Sequence, residues 1–259
     1  MAYSTFRQAL LQRKVTLGTW LQINNGTSAE ILANAGYEWI AIDIEHTDID
    51  ITTLTDLLRA MHGRGAAPIA RVATNGLLDI RRALDAGAAG VLIPFVNTAE
   101  QARFAVQAAK YPPDGVRGYS FCRANNWGVD FTKDVQTANE DTAVIVMIES
   151  RHGVENIDDI LAVDGVDAVF IGPYDLSGSY GIPGQTQEPV VRDACRRVIE
   201  ACEKAGKSVG LLLVRPTESA VKQVVDDGYN LLCLGLDTVF IDEGARATRA
   251  RALQALGLE

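Results

Sequence analysis

The chain has 259 residues, 47% of them hydrophobic and 22% charged, with 23 glycines and a formal net charge of −9 at pH 7. Those proportions describe one ordinary globular domain spanning residues 1–259, with enough apolar material for a substantial core. The acidic balance and the lack of any Lys/Arg cluster exclude a nucleic-acid partner, and no apolar run approaches the roughly 18 residues needed to cross a bilayer.

Short β-branched runs alternate with amphipathic stretches from end to end. In chain order the runs are "VTLGTWLQI", "WIAID", "APIAR", "GVLIP", "AVIVMIE", "DAVFIG", "SVGLLLV" and "NLLCLG", each followed by a helical pattern. Such alternation is the signature of βα units around a parallel sheet. Eight units in this length predict an α/β fold, a TIM (β/α)8 barrel. Three helices end in small-residue turns, "ILANAGYEW", "RRALDAGAAG" and "VKQVVDDGYN", where glycine fits a left-handed cap. The connection from Tyr111 to about Asn139 is longer than the others and holds "YPPDGVRGYSFCRANNWG". A long loop in a compact domain is usually functional, so a lid or a subunit contact is expected there.

Barrel enzymes build their chemistry at the carboxyl ends of the strands. There the second strand carries Asp43, Glu45 and His46, the third Arg71, the fifth Glu149, and the sixth Gly172, Pro173 and Asp175. Glu149 and Asp175 suit a hard divalent cation such as Mg²⁺ or Mn²⁺, with water and substrate oxygens completing an octahedron; rim carboxylates without a ligand are the plain alternative. Zinc held by histidines is disfavoured, because only His46, His62 and His152 exist and no two share ligand spacing. His62 reads as a surface cap and His152 as a residue within reach of Glu149. His46 is suited to acid/base work, with Asp43 near enough to fix its tautomer. Arg71 would hold an oxyanion, or else a rim carboxylate.

Other chemistries are less well served. The six lysines fall in helices, loops or strand starts, which disfavours a Schiff-base aldolase. Neither GxGxxG nor GxxxxGK[ST] occurs, and the last two strands lack a barrel phosphate cup. Cys122, Cys195, Cys202 and Cys233 form no CxxC pair, so reduced thiols are expected, in the cytoplasm, since the opening "MAYSTFRQALLQRK" lacks the apolar core of a signal peptide.

The segments "AIDIEH", "PIAR", "RALDAGAAGVLIP", "YPPDGVRG", "IVMIES" and "FIGPYDLSGSYGIPG" resemble the HpcH/HpaI aldolases, metal-dependent class II pyruvate aldolases, over nearly the whole chain. The resemblance implies a barrel of the phosphoenolpyruvate/pyruvate-domain type and a homohexamer, a trimer of dimers whose C-terminal helix, within "TVFIDEGARATRARALQALGLE", swaps onto a neighbour. It implies that Glu149 and Asp175 ligate the divalent metal (Mg²⁺, Mn²⁺ or Co²⁺), that His46 is the acid/base with Asp43 or Asp85 as its partner, and that Arg71 stabilises an enolate. Glu45 would stand behind these residues. Residues expected to contact substrate are Arg71, Gly172, Pro173, Asp175, Trp20, Leu212 and Arg123, the last in the long connection, a segment that members of the family often bring to a neighbouring subunit's site. Many members of the family carry glutamine two residues before the metal-binding glutamate, where this chain has Met147, so the floor of the site should be less polar. The expected reaction is reversible retro-aldol cleavage of a 4-hydroxy-2-oxo acid to pyruvate, or a close 2-oxo acid, and an aldehyde. The rivals are other enolate chemistry on the same scaffold, either oxaloacetate-type decarboxylation or a citrate-lyase-like acyl-CoA reaction, and a barrel without catalysis.

Overall fold

The computed structural model describes residues 2–258; residues 1 and 259 of the expected single domain lie outside the described residues. Eight parallel strands close into a barrel in sequence order: β1 (Thr16–Leu21), β2 (Trp39–Asp43), β3 (Ala67–Arg71), β4 (Gly90–Ile93), β5 (Ala143–Ile148), β6 (Ala168–Ile171), β7 (Ser208–Leu213) and β8 (Leu231–Leu236). Seven of the predicted runs contain their strand, and the eighth, "NLLCLG", stops one residue short of the end of β8. Parallel strands covered on both faces read as near-continuous apolar runs, which is why eight short segments could be located without a strict alternation of polar residues.

The helices around the barrel are α1 (Ala2–Leu11), α2 (Gly26–Asn34), α3 (Ile51–Ala60), α4 (Leu77–Asp85), α5 (Ala99–Ala109), α6 (Phe131–Asp141), α7 (Arg151–Glu155), α8 (Ile157–Leu161), α9 (Pro173–Ser179), α10 (Pro189–Lys204), α11 (Glu218–Asp226) and α12 (Asp237–Leu256). Gly36, Gly87 and Gly228 follow α2, α4 and α11 with φ of 91°, 101° and 105°, the left-handed geometry predicted for those turns. No described helix is long and apolar enough to cross a membrane.

Side-chain alternation along each strand separates two apolar cores. One lies between the sheet and the helices, with Ile40, Ile42, Val91, Ile93, Val144, Val146 and Ile148 among its members. The other fills the barrel with the alternate residues Trp20, Trp39, Ala41, Ile69, Leu92, Ile145, Met147, Phe170 and Cys233, and α1 adds Phe6 and Leu10. Gly18 makes room for this filling, since a Cβ there would stand 2.2 Å from the Trp39 ring.

Helix α12 behaves differently from the other long helices. Asp237 is its buried residue, and every residue from Phe240 to Ala252 is exposed. Its sequence pattern would suit packing on its own barrel, yet the helix leaves the barrel instead.

Burial raises the thiol of Cys122, and lifts Cys195 to about 11 and Cys202 to about 12, with Cys233 well above its ordinary value. The thiolate is the nucleophile, so a raised pKa lowers reactivity at neutral pH. A thiol-exchange reagent at pH 8 is therefore expected to leave the native chain almost unmodified and to titrate four thiols on unfolding. Rapid native reaction at any of the four would contradict this packing.

Candidate active site

The barrel's interior alternation carries upward to the carboxyl ends of the strands, where polar residues replace apolar ones. Asp43 ends β2 and Arg71 ends β3, and they are direct neighbours in the sheet register. Glu149 follows β5 two residues beyond Met147, whose buried side chain belongs to the barrel interior, as the alternation predicted. These inward positions converge on one mouth because β2, β3, β5 and β6 occupy one continuous side of the closed barrel.

Arg71 is buried and held from three directions. Its Nη2 stands 2.5 Å from Glu45 Oε2, its Nη1 stands 3.6 Å from Asp43 Oδ2, and its guanidinium carbon lies 5.5 Å from the centre of the Trp20 ring. The contact with Glu45 is an ion pair without hydrogen-bond geometry, which leaves Glu45 Oε2 without a hydrogen-bond partner, and Arg71 Nε is a second buried atom without one. Trp20 Nε1 donates to Asp43 Oδ2 at 3.0 Å, which places the indole as the floor beneath the guanidinium. Gln22 Nε2 donates to the same oxygen at 3.3 Å.

Asp43 supports His46 through the main chain. Its Oδ1 accepts the backbone N–H groups of Glu45 and His46, both at 3.1 Å, and so fixes the turn that follows β2. The His46 ring is 57% exposed at the rim, with Nε2 3.6 Å from Glu45 Oε2. The expected contact between Asp43 and the imidazole is replaced by this backbone support, and the carboxylate beside the ring is that of Glu45.

Glu149 is 1% exposed. Its Oε1 accepts the Phe95 backbone N–H at 2.8 Å, while its buried Oε2 has no partner. Burial pushes the carboxyl up to about 7, against the lowering influence of the Phe95 N–H and Arg71; Asp175 and Glu45 raise it further. Glu45 is also raised, chiefly by burial. Asp175 lies in the first turn of α9, after Pro173 at the helix start, so the N–H groups of that turn face outward without helical acceptors.

These residues fit a divalent cation. Arg71 pairs with Asp43 and Glu45 and acts on the charge of Glu149, Asp175 adds a further negative charge beside Glu149 and Glu45, and the partnerless oxygen of Glu149 is a free ligand position. Among the described residues no three His, Cys, Asp or Glu side chains are arranged to hold an ion, so an ion bound here would take most of its ligands from solvent and substrate oxygens. Gly172 keeps the space open, because a Cβ there would stand 2.8 Å from Glu149 Oε2 and 2.9 Å from Glu149 Cβ. Gly172→Ala is expected to weaken metal binding at least tenfold while the chain stays folded, which isothermal titration and thermal melting would check.

Other expected residues lie elsewhere. Asp85 closes α4 and pairs with Arg117 at 2.8 Å, so it does not meet His46. Arg123 donates to the carbonyls of Ala86 and Leu58 at the ends of α4 and α3. The whole connection that contains it packs at the amino-terminal end of the barrel and is no lid over its own mouth. A cavity of about 720 Å³ lined by Arg117, Arg123, Lys133 and the residues before β4 and β5 opens at that end, opposite the chemistry. His152 is exposed and faces Glu155 and Asn156. Leu212 packs against the barrel interior near the carboxyl end of β7.

Residues 16–242 match the family model described as HpcH/HpaI aldolase/citrate lyase. The chain belongs to this family. It is 38% identical over 252 residues to the 4-hydroxy-2-oxo-heptane-1,7-dioate aldolase of Klebsiella pneumoniae subsp. pneumoniae, covering 96% of this chain and 93% of that one. It is 36% identical over 250 residues to the hydroxypyruvate/pyruvate aldolase of Roseovarius nubinhibens, covering 96% of each. The crystal structure of an HpcH/HpaI aldolase/citrate lyase family protein from Burkholderia cenocepacia J2315 superposes with a TM-score of 0.90 at 36% identity, over 98% of this chain and 99% of that one.

Proposed function

We propose that this family member catalyses the reversible retro-aldol cleavage of a 4-hydroxy-2-oxo acid to pyruvate, or a close 2-oxo acid, and an aldehyde, with a divalent cation held by Glu149 and Asp175. The carrying observation is the buried Glu149 carboxyl, with one oxygen unpartnered and with the charges of Arg71 and Asp175 acting on it. The aldolase names of relatives at 36% and 38% identity support the reaction class.

The 2-oxo acid carboxylate is received by the backbone N–H groups of Tyr174 and Asp175 at the start of α9, where an anion is favoured. Arg71, fixed by Glu45, Asp43 and Trp20, points its charge at the C2 oxygen. His46 takes the proton of the 4-hydroxyl; as the C3–C4 bond breaks, its electron pair passes to C2 and the negative charge settles on the C2 oxygen. The aldehyde leaves, and protonation at C3 gives the 2-oxo acid. When bound, the cation supplies Lewis acidity for the charge that develops on the C2 oxygen. Mg²⁺, Mn²⁺ and Co²⁺ all suit two carboxylates with oxygen co-ligands.

His46→Ala is expected to lower turnover by roughly 10²- to 10⁴-fold with metal affinity nearly unchanged, because the imidazole is at the rim and outside the carboxylate pair. Full turnover in that variant would remove His46 from the reaction. The exposed α12 supports a homo-oligomer, a hexamer built as a trimer of dimers with this helix exchanged, and light scattering would test the mass.

The decisive experiment follows the pyruvate methyl signal by NMR in D₂O, using chelator-treated protein with and without added Mg²⁺, Mn²⁺ or Co²⁺. Metal-dependent exchange is expected, since enolisation requires no knowledge of the aldehyde. Absence of exchange with every metal would overturn the pyruvate reading in favour of another enolate substrate or a barrel without catalysis.

A further inference from the structure

Phe95 sits two residues past the end of β4 with φ of 51°, a left-handed conformation that glycine adopts freely and an aromatic residue does not. The turn has a local use, because the Phe95 N–H reaches Glu149 Oε1 at 2.8 Å, while the buried Oε2 of the same carboxylate has no partner. A conformation of this kind persists only where its surroundings hold it. Packing of the ring is not that hold, since Phe95 is 48% exposed and belongs to neither core.

Asn97 supplies the hold. Its Nδ2 donates to the Phe95 carbonyl at 3.1 Å, and its Oδ1 accepts the hydroxyl of Ser150, the residue that follows Glu149. The main chain of Asn97 is fixed as well: its N–H donates to Gln101 Oε1 at 2.7 Å, and its carbonyl accepts Asn156 Nδ2 at 2.8 Å. The side-chain amide has one orientation. A carbonyl can only accept, so the amide nitrogen must face Phe95; Ser150 Oγ already accepts the Gly153 N–H at 3.1 Å and keeps its own proton for Asn97 Oδ1. Gly153 permits this approach, because a Cβ there would stand 3.0 Å from the Val96 carbonyl oxygen and 3.3 Å from Asn97 Oδ1. Between the two residues, Val96 is buried and donates its N–H to the Met147 carbonyl at 3.2 Å, so the segment is anchored on β5 without the Asn97 side chain.

We infer that Asn97 is a positioning residue for the divalent cation: its side chain ties the left-handed turn at Phe95 to the residue after Glu149, and so aims the N–H that orients the Glu149 carboxylate. This rests on the reading of Glu149 as a metal ligand and assigns the residue that sets its geometry. Groups one step removed from an ion tune its affinity by fixing the ligand's orientation.

The test titrates chelator-treated protein with Mn²⁺ by calorimetry, and melts the metal-free protein alongside, for the wild type, Asn97→Ala, Asn97→Leu, Phe95→Gly and the double variant Phe95→Gly/Asn97→Ala. Asn97→Ala is expected to weaken Mn²⁺ binding roughly 10- to 100-fold in a chain that still melts cooperatively. In the Phe95→Gly background the left-handed turn is accessible without help, so the same substitution should cost about threefold or less. A merely structural Asn97 would lower the melting temperature and leave the titration unmoved. Unchanged Mn²⁺ affinity in Asn97→Ala overturns the inference, and so does an equal loss in both backgrounds. If Asn97→Ala fails to fold, Asn97→Leu, which keeps the volume and removes the donor, carries the comparison. A wild type that takes up no Mn²⁺ is a separate result that overturns the metal reading itself, and the inference falls with it.

Discussion

Replacing Glu149 by glutamine is expected to abolish tight divalent-metal binding and to lower retro-aldol turnover by on the order of 10³-fold or more, while making the metal-free protein more stable at pH 8. The stability half of this expectation follows from burial. The Glu149 carboxyl is raised from 4.5 to about 7, with desolvation as the leading cause. In the window between those values the folded chain holds a proton that the unfolded chain has released, so stability falls as pH rises through it. At pH 8 the full penalty is present, up to about 3 kcal/mol, and a neutral glutamine escapes it. In chelator the variant should melt above the wild type at pH 8, and the difference should vanish near pH 4.5. A variant that is equally metal-tight, or that melts lower at pH 8, would make this carboxylate structural.

The barrel was legible because its strands are buried on both faces and three of its helices run into a left-handed glycine before the next strand. The site was legible where a polar residue ends an apolar strand, as Asp43, Arg71 and Glu149 do. The same geometry keeps two expected residues from the mouth of their own barrel. Asp85 closes a helix, and helix ends in βα alternation lie at the amino-terminal face; Arg123 lies between α5 and β5, a stretch that must return to that face before the next strand starts. Chain direction places both at the end opposite the mouth of their own barrel, and the resemblance had put the Arg123 segment at a neighbouring subunit's site.

What stayed hidden were contacts between segments distant in sequence. Nothing in "VLIPFVN" reveals that the backbone of Phe95 reaches a carboxylate 54 residues later, nor does "IEHT" show Glu45 set against Arg71. The partner of α12 was equally hidden, since an apolar stripe fits its own barrel or a neighbour's. Its exposure removes the first option for the single chain.

Arg71→Lys is expected to retain the fold and metal binding yet to lower turnover by roughly 10²- to 10³-fold. The charge balance against Asp43, Glu45 and Glu149 survives in the lysine, so the carboxylates keep a cation near them. The planar fork is lost. Arginine reaches Glu45 with one terminal nitrogen and Asp43 with the other, lies over Trp20, and leaves Nε without a protein partner. A compact ammonium lacks the planar fork that spans Glu45 and Asp43 while aiming a further donor at the substrate oxygen. The loss should therefore appear in kcat, with pyruvate exchange slowed in parallel and the metal titration little changed. Arg71→Ala adds a second effect, because three carboxylates then lose the guanidinium that balances their charge, and metal-free protein should melt lower than the lysine variant. Undiminished turnover in Arg71→Lys would show that charge alone suffices at this position; equal melting of the two variants would show that the guanidinium contributes to the reaction without stabilising the carboxylates around it.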